Sequence, residues 1–254
     1  MSNLSIAGTS LEPLLFWKSG HSVTDAVNFA RSSAATLARL GSGGMVAHVG
    51  PRPAQRLELY ERESCPFSRK VREALSILDL DVIVHPCPEG GTRFRAKVEA
   101  KIGKYEIPVL VDPNRGIALH GSDEIVEQLF AHYGDGKVPL TLRSPKLTNA
   151  SSKLASALRG NRGTDVEPSL EPTSLIELYS YEASPYCRPV REKLTELELP
   201  YLLHNVARGS ARRPTFIARS GKMQVPYLVD AAREVAMFES KDIVDYLEKT
   251  YAAR

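Results

Sequence analysis

Residues 57–80 read LELYERESCPFSRKVREALSILDL, and residues 176–199 read IELYSYEASPYCRPVREKLTELEL. At a constant spacing of 119 residues, the two stretches share apolar and charged positions. In the first stretch these are Glu58, Leu59, Tyr60, Glu63, Pro66, Arg69, Val71, Arg72, Glu73 and Leu75. At a spacing of 118, Pro108, Asp112, Ser122, Ile125, Val126 and Tyr133 also recur. This density of matches predicts a tandem duplication, here called copy one and copy two.

Each copy alternates strand and helix signals. In copy one, period-two alternation predicts strands, Pro66 marks the first turn of one helix, and Ser122 is expected to cap the last helix, as Ser240 is in copy two. The predicted strands span 57–61, 82–86, 109–111 and 117–119, and the predicted helices span 66–78, 92–101 and 122–132. This β-α-β-α-β-β-α order predicts an α/β domain with a mixed four-stranded sheet in each copy. We place domain one at 55–134 and domain two at 174–254, joined by a linker at 135–173 with a short helix near 147–158.

The composition excludes several classes of protein. The chain has 254 residues, 43% hydrophobic and 25% charged, which is ordinary for a globular protein. It contains no apolar run of about 18 residues, so no membrane span is expected. A net charge of +3 does not indicate nucleic-acid binding. Three cysteines exclude a disulfide framework and favour a reducing compartment, so we expect a cytoplasmic protein, or an organellar one such as a plastid protein.

Residues 1–54 form a predicted helical extension, with helices near 11–17 and 23–40. Its first 44 residues have two interpretations. The segment is poor in acidic residues, which suits an organelle transit peptide. We favour an arm packed on the domains, because small residues of its second half recur in the linker at a spacing of 119, such as Gly41 as Gly160.

The sequence Cys65-Pro66-Phe67-Ser68 lies where the first strand ends and the first helix begins. A thiol there faces unpaired backbone N–H groups and the positive end of the helix dipole, which favour the reactive thiolate. Arg62, Arg69 and Lys70 lie nearby in sequence and add positive charge. In copy two the cysteine and the serine exchange places, with Ser184 at the first position and Cys187 at the last.

This arrangement resembles the thioredoxin fold. The Cys-Pro-aromatic element and the x-Pro-x-Leu-Val-Asp element before the third strand are similar to those of glutaredoxins and of the N-terminal domain of glutathione S-transferases. The resemblance covers 57–134 and 175–252, and the chain also resembles tandem two-domain proteins of bacteria and plastids. It implies that Cys65 is a nucleophile, that Ser68 replaces a second cysteine, and that free glutathione resolves the monothiol site.

The same resemblance implies a glutathione site in each copy. The peptides Ile107-Pro108 and Val225-Pro226 match the cis-proline, whose preceding residue holds the cysteinyl backbone of glutathione. Glu239-Ser240 matches the acid–serine pair that binds the γ-glutamyl end, whereas copy one has Ser122 with Asp123 after a glycine. The remaining implied contacts are Pro66, Phe67 and Tyr186.

Three features keep two or more interpretations. Ser184 is either a helix N-cap, which we favour, or a hydrogen-bond donor to the glutathione thiolate. Cys87 is either a resolving thiol or, as we prefer, a semi-buried residue, and with His85 it is too sparse for zinc. The basic second helices are a solvated face, a site for the glycyl carboxylate of glutathione or, least favoured, a nucleic-acid surface. Their residues are Arg93, Arg95, Lys97, Lys101 and Lys104 in copy one and Arg208, Arg212, Arg213 and Arg219 in copy two.

The resulting expectation is a glutathione-dependent thiol–disulfide oxidoreductase or deglutathionylase that acts on glutathionylated or disulfide-containing proteins. Glutathione is the co-substrate, and no metal is expected. The alternatives are a glutathione transferase, although an all-helical C-terminal domain is missing from the sequence, and a non-enzymatic glutathione- or protein-binding scaffold. An iron–sulfur-bridged dimer is a minor alternative, because Pro66 stands where the usual motif has glycine. We expect no disulfide between Cys65 and Cys187.

Overall fold

The computed structural model describes residues 23–37, 39, 41–143, 159–160 and 162–253. Within them, both copies have the predicted element order. A first helix, α1 (Val23–Leu37), precedes copy one. Copy one consists of β1 (Leu57–Glu61), α2 (Pro66–Ile77), β2 (Val82–Pro86), α3 (Arg95–Ile102), β3 (Val109–Asp112), β4 (Ile117–His120) and α4 (Ser122–Tyr133), followed by α5 (Leu140–Arg143). Copy two consists of β5 (Ile176–Ser180), α6 (Cys187–Glu196), β6 (Tyr201–Asn205), α7 (Arg213–Ser220), β7 (Tyr227–Asp230), the 3₁₀ turn Ala231–Arg233, β8 (Val235–Phe238) and α8 (Ser240–Tyr251).

The two copies share one eight-stranded sheet of order β4-β3-β1-β2-β6-β5-β7-β8. Within each copy the first two strands are parallel and the others antiparallel, which gives the predicted mixed sheets. The copies join where β2 and β6 pair antiparallel, with Ile83 opposite Leu202. This junction was not predicted from the sequence. It relates the copies by an approximate two-fold axis between β2 and β6.

The main hydrophobic core also runs through both copies. Leu57 and Leu59 of β1 and Ile176 and Leu178 of β5 contribute to one cluster together with the first and last helices of each copy. The opposite sheet face carries two smaller clusters, around Phe94 in copy one and around Phe216 in copy two. Because the main core crosses the β2–β6 junction, the copies form one packed body.

Each copy is braced by a chain segment that also contacts the other copy. We call residues 41–50 arm one and residues 162–170 arm two. Arm one pairs with copy two, where the Val46 N–H donates to the Arg208 carbonyl at 2.7 Å. Arm two pairs with copy one, where the Val166 N–H donates to the Glu89 carbonyl at 2.9 Å.

Arm one and arm two are structurally equivalent at a spacing of 120 residues, whereas the sequence predicted 119. Gly43 and Gly163 both have left-handed φ, at 78° and 68°. A Cβ on Gly43 would lie 3.1 Å from the Glu182 Cβ, and one on Gly163 would lie 3.2 Å from the Glu63 Cβ. The structural repeat of the arms is therefore 120 residues, so the expected match of Gly41 with Gly160 is wrong by one residue. The reason is that close packing of each arm on the opposite copy, rather than glycine content, sets the register.

A cluster of buried charges lies between the two copies. We call it the central ion cluster. Its members are Glu61, Glu63, Arg69, Arg72, Glu182, Arg188 and Arg191, each at most 3% exposed. Arg191 Nε donates to Glu63 at 3.0 Å, and Arg72 Nε donates to Glu182 at 2.9 Å, so each copy's arginine holds the other copy's glutamate. Burial makes each missing partner costly, so the cluster fixes the relative position of the copies.

Two further buried ion pairs tie residues near the arms to the first helix of each copy. Arg39 donates to both carboxylate oxygens of Glu73, at 2.8 and 2.6 Å. Arg159 donates to both oxygens of Glu192, at 2.7 Å each. These bidentate pairs are the strong form of the ion pair; their arginines repeat at a spacing of 120 residues and their glutamates at 119.

Several predicted helix ends differ from the structure. α1 ends at Leu37, and α3 spans Arg95–Ile102 rather than 92–101. The helix α5 was not predicted within the linker. The predicted helices at 11–17 and 147–158 lie outside the described residues. No helix in the described part of the chain is long and apolar enough to cross a membrane.

The carboxyl group of Glu61 is expected to make stability depend on pH. Glu61 is fully buried, one of its oxygens contacts Arg72, and the other has no hydrogen-bond partner among the described residues. Burial raises the pKa of Glu61 to about 7, although Arg72 opposes this. The unfolded carboxyl group ionises at its ordinary lower pKa. The protonated Glu61 carboxyl group therefore contributes its full stabilisation at low pH, and this contribution is lost as the pH rises towards 7.

We expect Glu61→Gln to remove this pH dependence, because the amide stays neutral. Between pH 5 and pH 8 the wild type should lose up to about 3 kcal/mol of stability that the variant does not lose. Urea unfolding at pH 5 and pH 8 measures this difference. Glu58→Gln, on the same strand but partly exposed, is the matched control and should keep the wild-type slope. An unchanged slope in Glu61→Gln would contradict the prediction.

Candidate functional site

Cys65 lies in the turn between β1 and α2. Its N–H donates to the Arg62 carbonyl at 3.0 Å, and its carbonyl accepts from the Arg69 N–H at 3.0 Å. The residue is 6% exposed, whereas its neighbour Phe67 is 37% exposed. The thiol is therefore at the start of a helix, as predicted, but recessed beside an exposed aromatic ring.

The positive charges expected around Cys65 are largely paired. Arg62 contacts Glu89 at 2.5 Å, and Lys70 contacts Asp123. Arg69 donates to Glu182 of copy two at 3.2 Å. Each of these three cations therefore has its charge partly compensated by a carboxylate.

Both predicted cis-prolines are present. The Ile107-Pro108 and Val225-Pro226 peptides are cis. In copy one, the Pro108 carbonyl accepts from the Gly121 N–H at 3.3 Å, which ties the cis-proline loop to the start of α4. Copy one therefore brings Pro108 and Ser122 close to each other, as the predicted glutathione site requires.

A cavity of about 310 Å³ lies beside this loop in copy one. It joins Arg62, in the turn that carries Cys65, to Ile107 of the cis peptide. The other lining residues are Pro88, Glu89, Gly90, Gly91, Arg95, Tyr105 and Glu106. Arg95 lies 4.6 Å above the ring of Tyr105. The cavity therefore offers a guanidinium group, an aromatic ring and a carbonyl-rich loop to a bound molecule.

The expected caps of the last helices are wrong. The helix-capping residues are Gly121 in copy one and Glu239 in copy two, with φ of 86° and 69°, and neither helix has a side-chain cap hydrogen bond. Ser122 and Ser240 are the first residues of these helices rather than their N-caps. Each serine therefore lies one position beyond the N-cap, from which a side-chain oxygen accepts the N–H of the second or third helical residue.

The acidic groups predicted to bind glutathione already have protein partners. Asp123 of copy one contacts the buried Lys70 of α2. Glu239 of copy two accepts from the Gln224 side-chain amide at 2.6 Å. A ligand ammonium group would share these carboxylates with their present partners.

Copy two is closed at its first position. The Ser184 hydroxyl accepts from the Cys187 N–H at 3.3 Å and is 1% exposed, so the helix-cap interpretation is confirmed. Helix α1 lies over this turn, since the Thr36 hydroxyl donates to the Ala183 carbonyl at 3.1 Å. The rings of Phe29 and Tyr186 are 4.9 Å apart. These contacts of α1 agree with the interpretation of the N-terminal extension as a segment that packs on the domains.

The second positions of the two motifs are both buried inside the first helix. Cys187 is fully buried, and burial raises the pKa of its thiol. Ser68 is fully buried too, and its hydroxyl has no hydrogen-bond partner among the described residues. Neither side chain reaches the surface that a substrate would approach.

Cys87 is 2% exposed, and its thiol donates to the His85 carbonyl at 3.4 Å. Burial raises the pKa of Cys87 to about 12, and the charges of Glu61 and Glu198 add to the effect. This environment fits the buried-residue interpretation rather than the resolving thiol. All three cysteines are free.

Several arginines of the basic second helices contact protein groups. Arg93 donates to the Glu198 carbonyl of copy two at 2.5 Å, and Arg212 contacts Asp79 of copy one at 3.1 Å. Arg219 pairs with Glu177 at 2.9 Å. For Arg93 and Arg212 the solvated-face interpretation is wrong, because the copies pack against each other there, whereas Arg219 pairs within copy two and its side chain stays 44% exposed. Arg95 alone among them lines the cavity beside Ile107.

A larger cavity of about 450 Å³ lies in copy two, between α1, α6 and α8. Phe29, Tyr186, Pro189 and Val244 form an apolar part of its wall. At equivalent positions copy one has Lys70 and Asp123, which contact each other, where copy two has Pro189 and Lys241. The groove is therefore open in copy two at the point where an ion pair bridges it in copy one.

The family model for the glutathione S-transferase N-terminal domain matches residues 59–137 and residues 178–254. The chain belongs to this family. The two matches of the glutathione S-transferase N-terminal domain cover more than half of the sequence and coincide with the two structural copies. No curated protein and no solved structure matches the chain.

The role of the repeated charges in this glutathione S-transferase N-terminal domain pair was not predicted from the sequence. Glu63, Arg69 and Arg72 recur as Glu182, Arg188 and Arg191, and all six are buried between the copies. The signal was present, since charged residues of both signs were identical in both copies. Such identity is unusual for a solvated helix face and indicates paired, buried charges.

Proposed function

We propose that the protein binds glutathione in copy one and catalyses glutathione-dependent thiol–disulfide exchange through Cys65. The observation that carries this proposal is the cavity that joins the Cys65 turn, at Arg62, to the cis peptide at Ile107. Family membership supports glutathione as the ligand. Copy two is assigned a non-catalytic role, because Ser184 is buried under α1.

The proposed reaction has two exchange steps. The Cys65 thiolate attacks the glutathione sulfur of a glutathionylated thiol, the substrate thiolate leaves and takes a proton, and Cys65 carries glutathione as a mixed disulfide. A second glutathione thiolate then attacks the glutathione sulfur of this mixed disulfide and releases the Cys65 thiolate with glutathione disulfide. The two electrons that reduce the substrate disulfide come from the oxidation of glutathione.

The residues of copy one have defined parts in this proposal. The backbone of Ile107 holds the cysteinyl part of glutathione as an added strand. Arg62 and Arg95 line the cavity and attract the glycyl carboxylate, which they share with their present partners Glu89 and Glu99. The N–H groups at the start of α4, near Ser122, attract the γ-glutamyl carboxylate.

A glutathione transferase is the second candidate, and the larger cavity of copy two favours it. That cavity has an apolar wall and is roofed by Asn28 and Phe29 of α1. A helix of the N-terminal extension therefore supplies a wall for an apolar acceptor molecule. In this alternative, glutathione is conjugated to an aromatic electrophile instead of being exchanged between sulfurs.

Cys65→Ser is the deciding variant. In a glutathione-coupled assay with a glutathionylated peptide, we expect the rate to fall to that of the uncatalysed reaction, because the hydroxyl cannot form the mixed disulfide. Cys87→Ser is the matched control and should keep the wild-type rate. Calorimetry should show glutathione binding to both variants. Equal rates for Cys65→Ser and wild type would contradict the exchange reaction, and conjugation of an aromatic chloride by both would support the transferase.

A further inference from the structure

The turn that carries Cys65 is held from the other copy. Arg72 of α2 donates to the Glu63 carbonyl at 3.1 Å and to the Arg62 carbonyl at 3.5 Å. The Arg62 carbonyl in turn accepts the Cys65 N–H at 3.0 Å. The position of Arg72 therefore determines where this turn, and with it the thiol, is placed.

Arg72 is itself positioned by copy two. Its Nε donates to Glu182 at 2.9 Å, and Arg69 of the same helix donates to the other oxygen of Glu182 at 3.2 Å. The Glu182 N–H also donates to the Ser76 hydroxyl of α2 at 3.1 Å. Although burial opposes ionisation, Arg191, Arg72 and Arg69 hold the pKa of Glu182 well below its usual range. Glu182 is thus a charged, three-point contact between copy two and the helix that follows Cys65.

We propose that Glu182 of copy two is a positioning residue for Cys65 of copy one. The route runs from the Glu182 carboxylate to Arg72, then to the carbonyls of Arg62 and Glu63, and then to the turn that carries the thiol. This inference rests on the proposed role of Cys65 as the nucleophile. It gives copy two, whose own first position is a buried serine, a function in the reaction of copy one.

The equivalent contact from copy one to copy two, between Glu63 and Arg191, holds a different kind of turn. Glu63 of copy one accepts from Arg191, and Arg191 donates to the Tyr181 carbonyl at 3.3 Å. This turn leads to Ser184, which caps α6. Only the direction from copy two to copy one therefore reaches a thiol at the first motif position.

The test compares Glu182→Gln with Glu192→Gln. Glu192 is a buried glutamate of the same copy, but its carboxylate pairs with Arg159 rather than with the Cys65 turn. Three quantities are measured: hydrogen–deuterium exchange of the peptide at 61–68, mixed-disulfide formation with glutathione disulfide, and alkylation of Cys65 by iodoacetamide. Thermal unfolding of both variants shows how far each is destabilised.

In Glu182→Gln we expect faster hydrogen exchange at 61–68 and mixed-disulfide formation about tenfold slower, the size of couplings carried through packed networks. Alkylation should not slow, because iodoacetamide needs no positioning. Glu192→Gln should keep the wild-type exchange and mixed-disulfide rates even where its melting temperature falls. Equal effects of the two variants, or wild-type exchange at 61–68 in Glu182→Gln, would overturn the proposal.

Glu182→Asp keeps the charge but shortens the reach to Arg72, and it serves if Glu182→Gln does not fold. It should show intermediate hydrogen exchange and an intermediate mixed-disulfide rate, and wild-type values of both would overturn the proposal. A wild type that forms no mixed disulfide would contradict the proposed function separately. In that case a faster exchange at 61–68 in Glu182→Gln still supports the positioning contact, and an unchanged one refutes it.

Discussion

Arg191→Met is expected to lower the stability of the protein by about 3–5 kcal/mol, because it removes one arginine partner from each of two fully buried carboxylates. Arg191 is 1% exposed and contacts Glu63 at 3.0 Å and Glu182 at 2.9 Å. Methionine keeps the unbranched apolar stem of the side chain and loses the guanidinium group, so the main loss is charge and hydrogen bonding. The melting temperature should fall by roughly 10 °C.

Arg219→Met is the matched control for this substitution. Arg219 also belongs to copy two and pairs with Glu177 at 2.9 Å, but its side chain is 44% exposed. An exposed pair contributes about 0–1 kcal/mol, so this variant should melt near the wild type. Both variants should unfold in one transition, because the main core crosses both copies. Similar losses for the two variants, or separate transitions of the copies, would refute the interpretation of the central ion cluster.

The sequence was sufficient for the elements within each copy. Periodicity placed β1 at 57–61 and β2 at 82–86, where the structure has them, because each strand alternates between two chemically different faces. It was not sufficient for the pairing of β2 with β6. Both strands are largely apolar. No local sequence feature distinguishes an edge strand exposed to solvent from one that pairs with a second copy.

The candidate site was also predictable from the sequence only in part. The motif and the cis-prolines were predictable because each depends on a few adjacent residues, such as Cys65-Pro66 and Ile107-Pro108. Partners more than a hundred residues away in sequence were not, and Glu182, which holds Arg72, is one of them. The prediction of side-chain caps at Ser122 and Ser240 was wrong because each helix begins at the serine itself, with Gly121 or Glu239 at the N-cap, a one-residue difference that the sequence pattern does not determine.

The second large effect is expected among the three thiols. A thiol whose pKa is about 12, as for Cys87, has roughly a thousandfold less thiolate at neutral pH than an ordinary cysteine. Cys187 is fully buried and its pKa is raised too. Cys65 lies at a helix start and is the most exposed of the three. Brief iodoacetamide treatment at pH 7 should therefore label Cys65 long before the other two.

Peptide mapping measures the labelling, and the same treatment in urea, where all three thiols should react, is the control. First labelling of Cys87 or Cys187 in the folded protein would show that Cys65 is not the reactive thiol. Non-reducing mapping of oxidised protein extends the test. We expect no Cys65–Cys187 peptide, because Cys187 lies within the core side of α6.

The β2–β6 pairing has a consequence for synthesis on the ribosome. Copy one leaves the ribosome first, but the strand that covers the β2 edge ends only at Asn205. At about 5–20 residues per second, the edge therefore waits roughly ten seconds for its partner. During that time Val82, Ile83 and Val84 form an uncharged, unpaired strand edge that favours association with other nascent chains. The duplication thus removes an exposed strand edge from the folded protein, while the risk of association through that edge exists during translation.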